Sequence, residues 1–123
     1  MVNIIKIQVK GYLKLLNDKN TMQINTKGQI NQNELIFFQD ETKHKMVIEE
    51  NKITLIRENI EFKNVIIFEL NKIYKSKYLL KEYNKEFYIN IKTEKIKQDK
   101  NGIIINYNVL DSNESYEYKI EMR

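Results

Sequence analysis

Nineteen lysines and two arginines supply the positive charge of this 123-residue chain, and only one arginine, Arg57, lies inside the sequence. The other is the last residue, Arg123. A guanidinium is planar, always charged and forked, so it grips a carboxylate or phosphate in a way that lysine cannot. If Ile53 and Leu55 face a core, period-2 alternation turns Arg57 inward too, near the end of its strand. Two roles follow: an ion pair with Glu49 or Glu50 that closes the structure, or a contact to the anionic head group of a ligand.

Tyrosine is the second group with chemistry to offer. There are eight, with five phenylalanines. Tyr74, Tyr78, Tyr83, Phe87, Tyr88, Tyr107, Tyr116 and Tyr118 all fall in the second half. Inside a cavity, their hydroxyls supply convergent polar groups within apolar walls. As ordinary strand residues they pack across strands. The candidate ligand contacts are Arg57, Tyr78, Tyr83, Phe87 and Tyr107. Lys72, Lys75, Lys77 and Lys81 form the one basic run. With neighbouring tyrosines they make an alternative face on which single-stranded bases stack, with weak, steeply salt-dependent binding.

Catalytic chemistry finds little footing. There is no cysteine, hence no thiolate nucleophile, disulfide or thiolate metal site. Glycosidase-type catalysis needs two carboxylates about 5–10 Å apart across a cleft. Glu49 and Glu50 are adjacent, so in a strand they point to opposite faces, and Glu58 and Glu61 flank a turn. The single histidine, His44, sits between Lys43 and Lys45 and is expected in an exposed loop. Neither metal, cofactor nor enzymatic activity is expected.

The formal charge is +4 with pI near 9.1. A basic balance can signal an anionic partner. Here Ile (20), Lys (19) and Asn (16) together make 55 of 123 residues, while Ala, Pro, Trp and Cys are absent. Lys, Asn and Ile share A/T-rich codons, so the lysine excess is ascribed to genomic bias and nucleic acid is not the expected partner. No apolar run reaches the roughly 18 residues of a membrane span or the apolar stretch of about 7–15 of a secretory signal. The expectation is a soluble cytoplasmic protein, monomeric or weakly dimeric.

Positioning these residues falls to strands. Ile5, Ile7 and Val9 alternate with Lys6, Gln8 and Lys10. Met22, Ile24, Thr26, Gly28 and Ile30 alternate with Gln23, Asn25, Lys27 and Gln29. Further strands are expected at Leu35–Phe38, Lys45–Glu49, Ile53–Arg57, Glu61–Leu70, Phe87–Ile96, Ile103–Leu110 and Tyr116–Met122. Turns fall at 17–20, 31–33, 50–52, 58–59 and 111–114. Asn101-Gly102 suits a type I′ hairpin. Asn is expected to replace Gly where φ is positive. Residues 70–83 fit either period; Tyr74, Ser76, Tyr78 and Leu80 alternating with lysines favour a strand, and a helix stays open.

No linker or repeat divides residues 1–123, so a single all-β domain is expected. Many antiparallel strands without a proline to blunt an edge favour closure. The expected fold is a closed or nearly closed antiparallel β-barrel of about 8–10 strands. Such a barrel is filled with side chains or holds one small ligand.

The order of motifs also resembles a known family. Thr26-Lys27-Gly28, Leu35-Ile36-Phe37-Phe38, Met46-Val47-Ile48, Lys52 to Arg57, Tyr78, Phe87 to Thr93 and Ile103 to Tyr107 follow one another. This order resembles the YwiB-like small β-barrel family of low-GC bacteria, a calycin (lipocalin-like) domain of unknown function. A family Pro-Tyr-Gly-like turn is here Glu82-Tyr83-Asn84-Lys85. The resemblance implies an antiparallel, lipocalin-like barrel and no established activity. The functional expectation is a non-enzymatic module for a small apolar or anionic ligand. A nucleic-acid-associated barrel and a structural or protein-interaction barrel are the alternatives.

Overall fold

Alternation of one inward and one outward side chain runs through ten strands, and none of the described residues is helical. The computed structural model describes residues 4–16 and 20–123. The strands are β1 (Ile4–Leu15), β2 (Thr21–Asn31), β3 (Glu34–Gln39), β4 (Thr42–Glu49), β5 (Lys52–Glu58), β6 (Phe62–Glu69), β7 (Ile73–Leu80), β8 (Lys85–Asp99), β9 (Gly102–Val109) and β10 (Glu114–Met122). Each pairs antiparallel with its sequence neighbours, and β1 closes on β10 from Val9 opposite Met122 to Leu15 opposite Tyr116. Closure removes both sheet edges, which suits a chain without proline. The stretch 70–83 is strand β7 with flanking turns.

The turns follow the asparagine rule at most positions. Positive φ occurs at Asn51, Asn71, Asn84 and Asn113, and at Gln32, Asp40 and Glu41, never at glycine. The expected turn at 17–20 lies largely outside the described residues. The β8–β9 hairpin forms as expected but not as type I′, since that turn needs positive φ at both central residues and neither Lys100 nor Asn101 has it. The Asp99 carboxylate instead accepts from the backbone N–H of Asn101 (2.7 Å) and Gly102 (3.0 Å), an Asx turn. Gly102 answers a close approach, because a Cβ there would lie 2.7 Å from the Ile120 carbonyl oxygen.

Interior side chains differ sharply between the two ends. At the end carrying the β4–β5 and β8–β9 hairpins, Val9, Leu35, Met46, Ile53, Phe68, Ile103 and Ile120 fill the bore and are almost fully buried. Ile5 belongs to the inward register but is 59% exposed. It lies beyond this packed layer near the strand start, where alternation continues after the core has ended. At the opposite end, with the β5–β6, β7–β8 and β9–β10 connections, the bore is hollow.

Candidate functional site

The hollow end is a cavity of about 390 Å³. Leu55, Ile66, Ile91 and Tyr118 are its deeper, buried wall, while Leu13, Ile89 and Val109 form its partly buried flanks. Phe68 of the packed end lies against Tyr107, with ring centroids 4.9 Å apart, and so marks the boundary between the two halves. Tyr107 stacks on Tyr116 at 5.2 Å, and Phe62 stacks on Tyr78 at 5.1 Å. Tyr78, Tyr107 and Tyr116 line the cavity, and Phe62 backs Tyr78.

Polar groups enter the barrel interior as a row across adjacent strands, and Arg57, Asn64 and Tyr78 of this row line the cavity. His44, Arg57, Asn64 and Tyr78 are consecutive cross-strand partners on β4, β5, β6 and β7. Antiparallel partners share a face, so all four belong to the interior register. Arg57 donates through Nε (3.3 Å) and Nη2 (2.8 Å) to the Asn64 side-chain oxygen. The Asn64 amide donates in turn to Ser76 Oγ (3.1 Å) and the Lys77 carbonyl (3.0 Å). Ser76 Oγ donates to the Val65 carbonyl at 2.9 Å. Both amide donors have acceptors, so the Asn64 oxygen is fixed toward the guanidinium. A chain of hydrogen bonds thus anchors Arg57.

Arg57 is not the closing ion pair that Glu49 or Glu50 would make. Those residues lie at the other end of β5, opposite and beyond Lys52, and five strand residues span roughly 16 Å. Among the described residues Arg57 has no carboxylate partner. Two carboxylates do line the same cavity, but they are held elsewhere. Asp111 accepts from the Asn90 backbone N–H (2.8 Å) and side-chain amide (3.3 Å). Glu114 accepts from Ser112 Oγ (2.7 Å) and the Tyr116 hydroxyl (3.4 Å).

His44 corrects the expectation of an exposed loop. It is 5% exposed, within β4, and stacks on Phe37 with centroids 4.6 Å apart. Its pKa is held down to about 4, first by burial and then by the charge of Arg57 opposite it. Among the described residues its Nδ1 has no hydrogen-bond partner. Burial also pushes the phenols of Tyr107 and Tyr118 upward, against the opposing pull of Arg57, so both remain neutral donors. The Tyr118 hydroxyl is buried without a partner among the described residues.

Of the five candidate ligand contacts, the structure brings Arg57, Tyr78 and Tyr107 together in the cavity wall. Tyr83 lies on the β7–β8 connection and is 71% exposed. Phe87 stands opposite Tyr78 but near the start of β8, past the rim, with Lys85 Nζ 5.6 Å from its ring centre. Both aromatic residues fall outside the wall because register alone does not say where the barrel ends. Asn64, Ser76 and Tyr118 were not among the candidates. The available signal was Asn64 itself, a polar residue in the inward series Phe62, Ile66, Phe68.

The lysine run is largely neutralised. Lys72 pairs with Glu69 (2.8 Å), Lys77 with Glu86 (3.0 Å) and Lys81 with Glu58 (2.9 Å). Lys75 alone of the four has no ion pair among the described residues. The described residues also hold no group of three or more His, Asp or Glu placed to bind a metal ion.

One solved structure is similar over nearly the whole chain: the YwiB protein from Bacillus subtilis. Its crystal structure superposes with a TM-score of 0.73, covering 99% of this chain and 92% of that one at 17% identity. The chain shares the fold of YwiB. No protein-family model and no curated protein matches the sequence. The similarity extends the barrel reading to both proteins and leaves the function to be argued from the cavity.

Proposed function

We propose that the protein is a non-enzymatic, calycin-like binding module that holds one small, apolar-bodied molecule in the hollow end of the barrel. The observation that carries this reading is the contrast within one bore. One half is filled by large apolar side chains, while the other retains about 390 Å³ lined by apolar surface and a few anchored polar groups. That volume and wall chemistry fall within the range of small-molecule sites. A rigid cavity also avoids part of the ordering cost of binding.

The polar groups favour holding over transforming. The Ser76 hydroxyl donates to a backbone carbonyl and accepts from Asn64, so no base stands ready to take its proton. His44, the one side chain suited to proton transfer near neutral pH, is kept neutral and stacked on Phe37.

Titration with the neutral fluorophore 2-naphthamide tests the reading. Saturable binding to the wild-type chain is expected, and Val109→Trp, which places an indole in the cavity flank, should abolish it without lowering the unfolding midpoint. Failure to bind at millimolar probe, or binding that survives the filled cavity, would remove the proposal.

A further inference from the structure

We propose that the barrel associates head to tail with a second copy of itself, the acidic corner around Ile60 and Tyr83 of one molecule seating in the basic groove beside Phe38 of the next. The inference is independent of the cavity reading, since neither surface lies in the hollow end of the bore.

The first surface is the corner where the β5–β6 and β7–β8 connections meet. Ile60 is 89% exposed and Tyr83 71%, above every other large apolar side chain among the described residues. An exposed apolar residue is ordinary by itself. Here the turn that carries Ile60 is fastened. The Asn59 side-chain oxygen accepts from the backbone N–H of Glu61 (2.8 Å) and Phe62 (3.0 Å), and its amide donates to Thr42 Oγ1 (3.0 Å). Lys81 Nζ donates to the Asn59 carbonyl (2.8 Å), and the Lys81 backbone N–H donates to the Glu61 carbonyl (2.9 Å). The two connections are thereby braced together, and Ile60 is held out in water as a preorganised anchor. Preorganisation lowers the ordering cost of association. Glu61 and Glu82 flank the anchor, both exposed and without an ion pair among the described residues.

The second surface is a groove of about 620 Å³ on the outer wall over β1, β2 and β3. It opens where the β2–β3 ladder ends, at Gly28 opposite Phe37, while β2 extends on to Thr21 without β3. Ile36 and Phe38 alternate with the buried Leu35 and Phe37 and so face outward, and Phe38 is 56% exposed. Lys6, Lys27 and Arg123 line the groove, and no carboxylate side chain does. Lys6 and Lys27 have no ion pair among the described residues, and Arg123 stands 3.8 Å from Glu121. By contrast, Lys45, Lys72, Lys77 and Lys81 each lie within 3.0 Å of a glutamate.

The two surfaces complement one another. One is an apolar projection flanked by unpaired carboxylates, and the other is an apolar hollow flanked by unpaired cations. Complementary charge sets partner and orientation, while a buried apolar anchor supplies the affinity. One chain carries both halves, so a second copy is the occupant that fits. In the ring of ten strands β2 and β7 are five strands apart in either direction. One molecule therefore cannot join its own two surfaces, and two copies cannot exchange both contacts across a two-fold axis. Each contact leaves one surface of either kind free, the geometry of heterologous assembly.

Sedimentation velocity of the full chain from micromolar to millimolar concentration tests this. Wild type should grow with concentration from 14.9 kDa past the mass of a dimer. Ile60→Asp and Phe38→Glu should each weaken association about 10-fold or more, the loss of an anchor residue. An equimolar mixture of the two variants should form dimers and stop there, because the intact corner of one meets the intact groove of the other and no second pair remains. Added salt should weaken wild-type association several-fold, since exposed charges are screened. Should Phe38→Glu fail to fold, Lys27→Glu replaces it in both experiments. A wild type that stays monomeric would leave the two surfaces to unlike partners and overturn the proposal. Growth that ends at the dimer, survives either substitution or strengthens with salt would overturn it too, as would a mixture of folded variants that remains monomeric.

Discussion

The two ends of the barrel are made from the same strands in the same alternating pattern, yet one is solid and the other hollow. On β5, Ile53 and Leu55 are followed by Arg57; on β6, Phe68 and Ile66 are followed by Asn64. On β9, Ile103 and Ile105 are followed by Tyr107 and Val109. Toward the packed end most inward positions carry a large apolar side chain, with Thr93 and Gly28 as the small exceptions. Toward the other end, polar or partly exposed side chains take over and anchor one another through Asn64. The difference shows how a closed barrel can divide its bore: stability resides where the side chains interdigitate, and binding capacity resides where they stop.

The largest test of that division is a truncation in each half. Phe68→Ala should lower unfolding free energy by about 3–5 kcal/mol, because it opens a void among fully buried neighbours. Val109→Ala should lower it by about 1 kcal/mol, since the side chain already borders empty space. Urea denaturation measures both, and similar losses would erase the contrast.

A pH experiment sharpens the boundary between the halves. The ordinary histidine pKa of 6.5 falls to about 4 at His44. The unfolded chain therefore binds the proton first, so stability falls as pH falls from 6.5 toward 4 and is fully present above that window. The predicted loss is about 3 kcal/mol. His44→Phe preserves the stack on Phe37 and should flatten this segment of the profile. The ion-paired carboxylates Glu58, Glu69 and Glu86, whose pKa values are lowered chiefly by their lysine partners, act in the same direction. Their effect begins only in the carboxylate range, below most of the histidine window. An unchanged slope in His44→Phe would assign the acid sensitivity to them instead.

Overfilling gives a smaller signal of opposite character. Ile103→Phe should cost about 1–3 kcal/mol by forcing strain into a dense layer. Val109→Phe should change stability by no more than about 0.5 kcal/mol, because the cavity accepts the ring. Smallest of all, Lys77→Gln removes an exposed ion pair with Glu86, and its denaturation midpoint should stay within error of wild type. A large shift there would give the outer lysine face a structural weight that its exposure does not suggest.

Much of the site was legible in part. Arg57 stood out by scarcity, and its inward direction followed from Ile53 and Leu55. Tyr78 and Tyr107 followed from the alternation of their strands. Tyr83 and Phe87 were misplaced because a tyrosine in a turn or at a strand start looks the same in sequence as one in the wall. His44 was misjudged for a different reason: two flanking lysines suggested a solvated loop. Lys43, His44, Lys45 and Met46 in fact continue the out-and-in pattern of β4, so the signal was the alternation and the charges concealed it.

Period-2 alternation, asparagine turns and the lack of edge-blunting proline were enough to specify strands, their faces and a closed all-β fold. These are local properties, carried by backbone geometry and side-chain direction within a few residues. Depth along the bore is not local. Where each strand is staggered against its neighbours decides whether an inward residue meets a dense layer, a cavity or solvent. That stagger set Phe68 against Tyr107, brought Asn64 of β6 to Arg57 of β5, and left the Tyr118 hydroxyl unmatched. Only the closed tertiary structure could decide it, because closure fixes all ten registers at once.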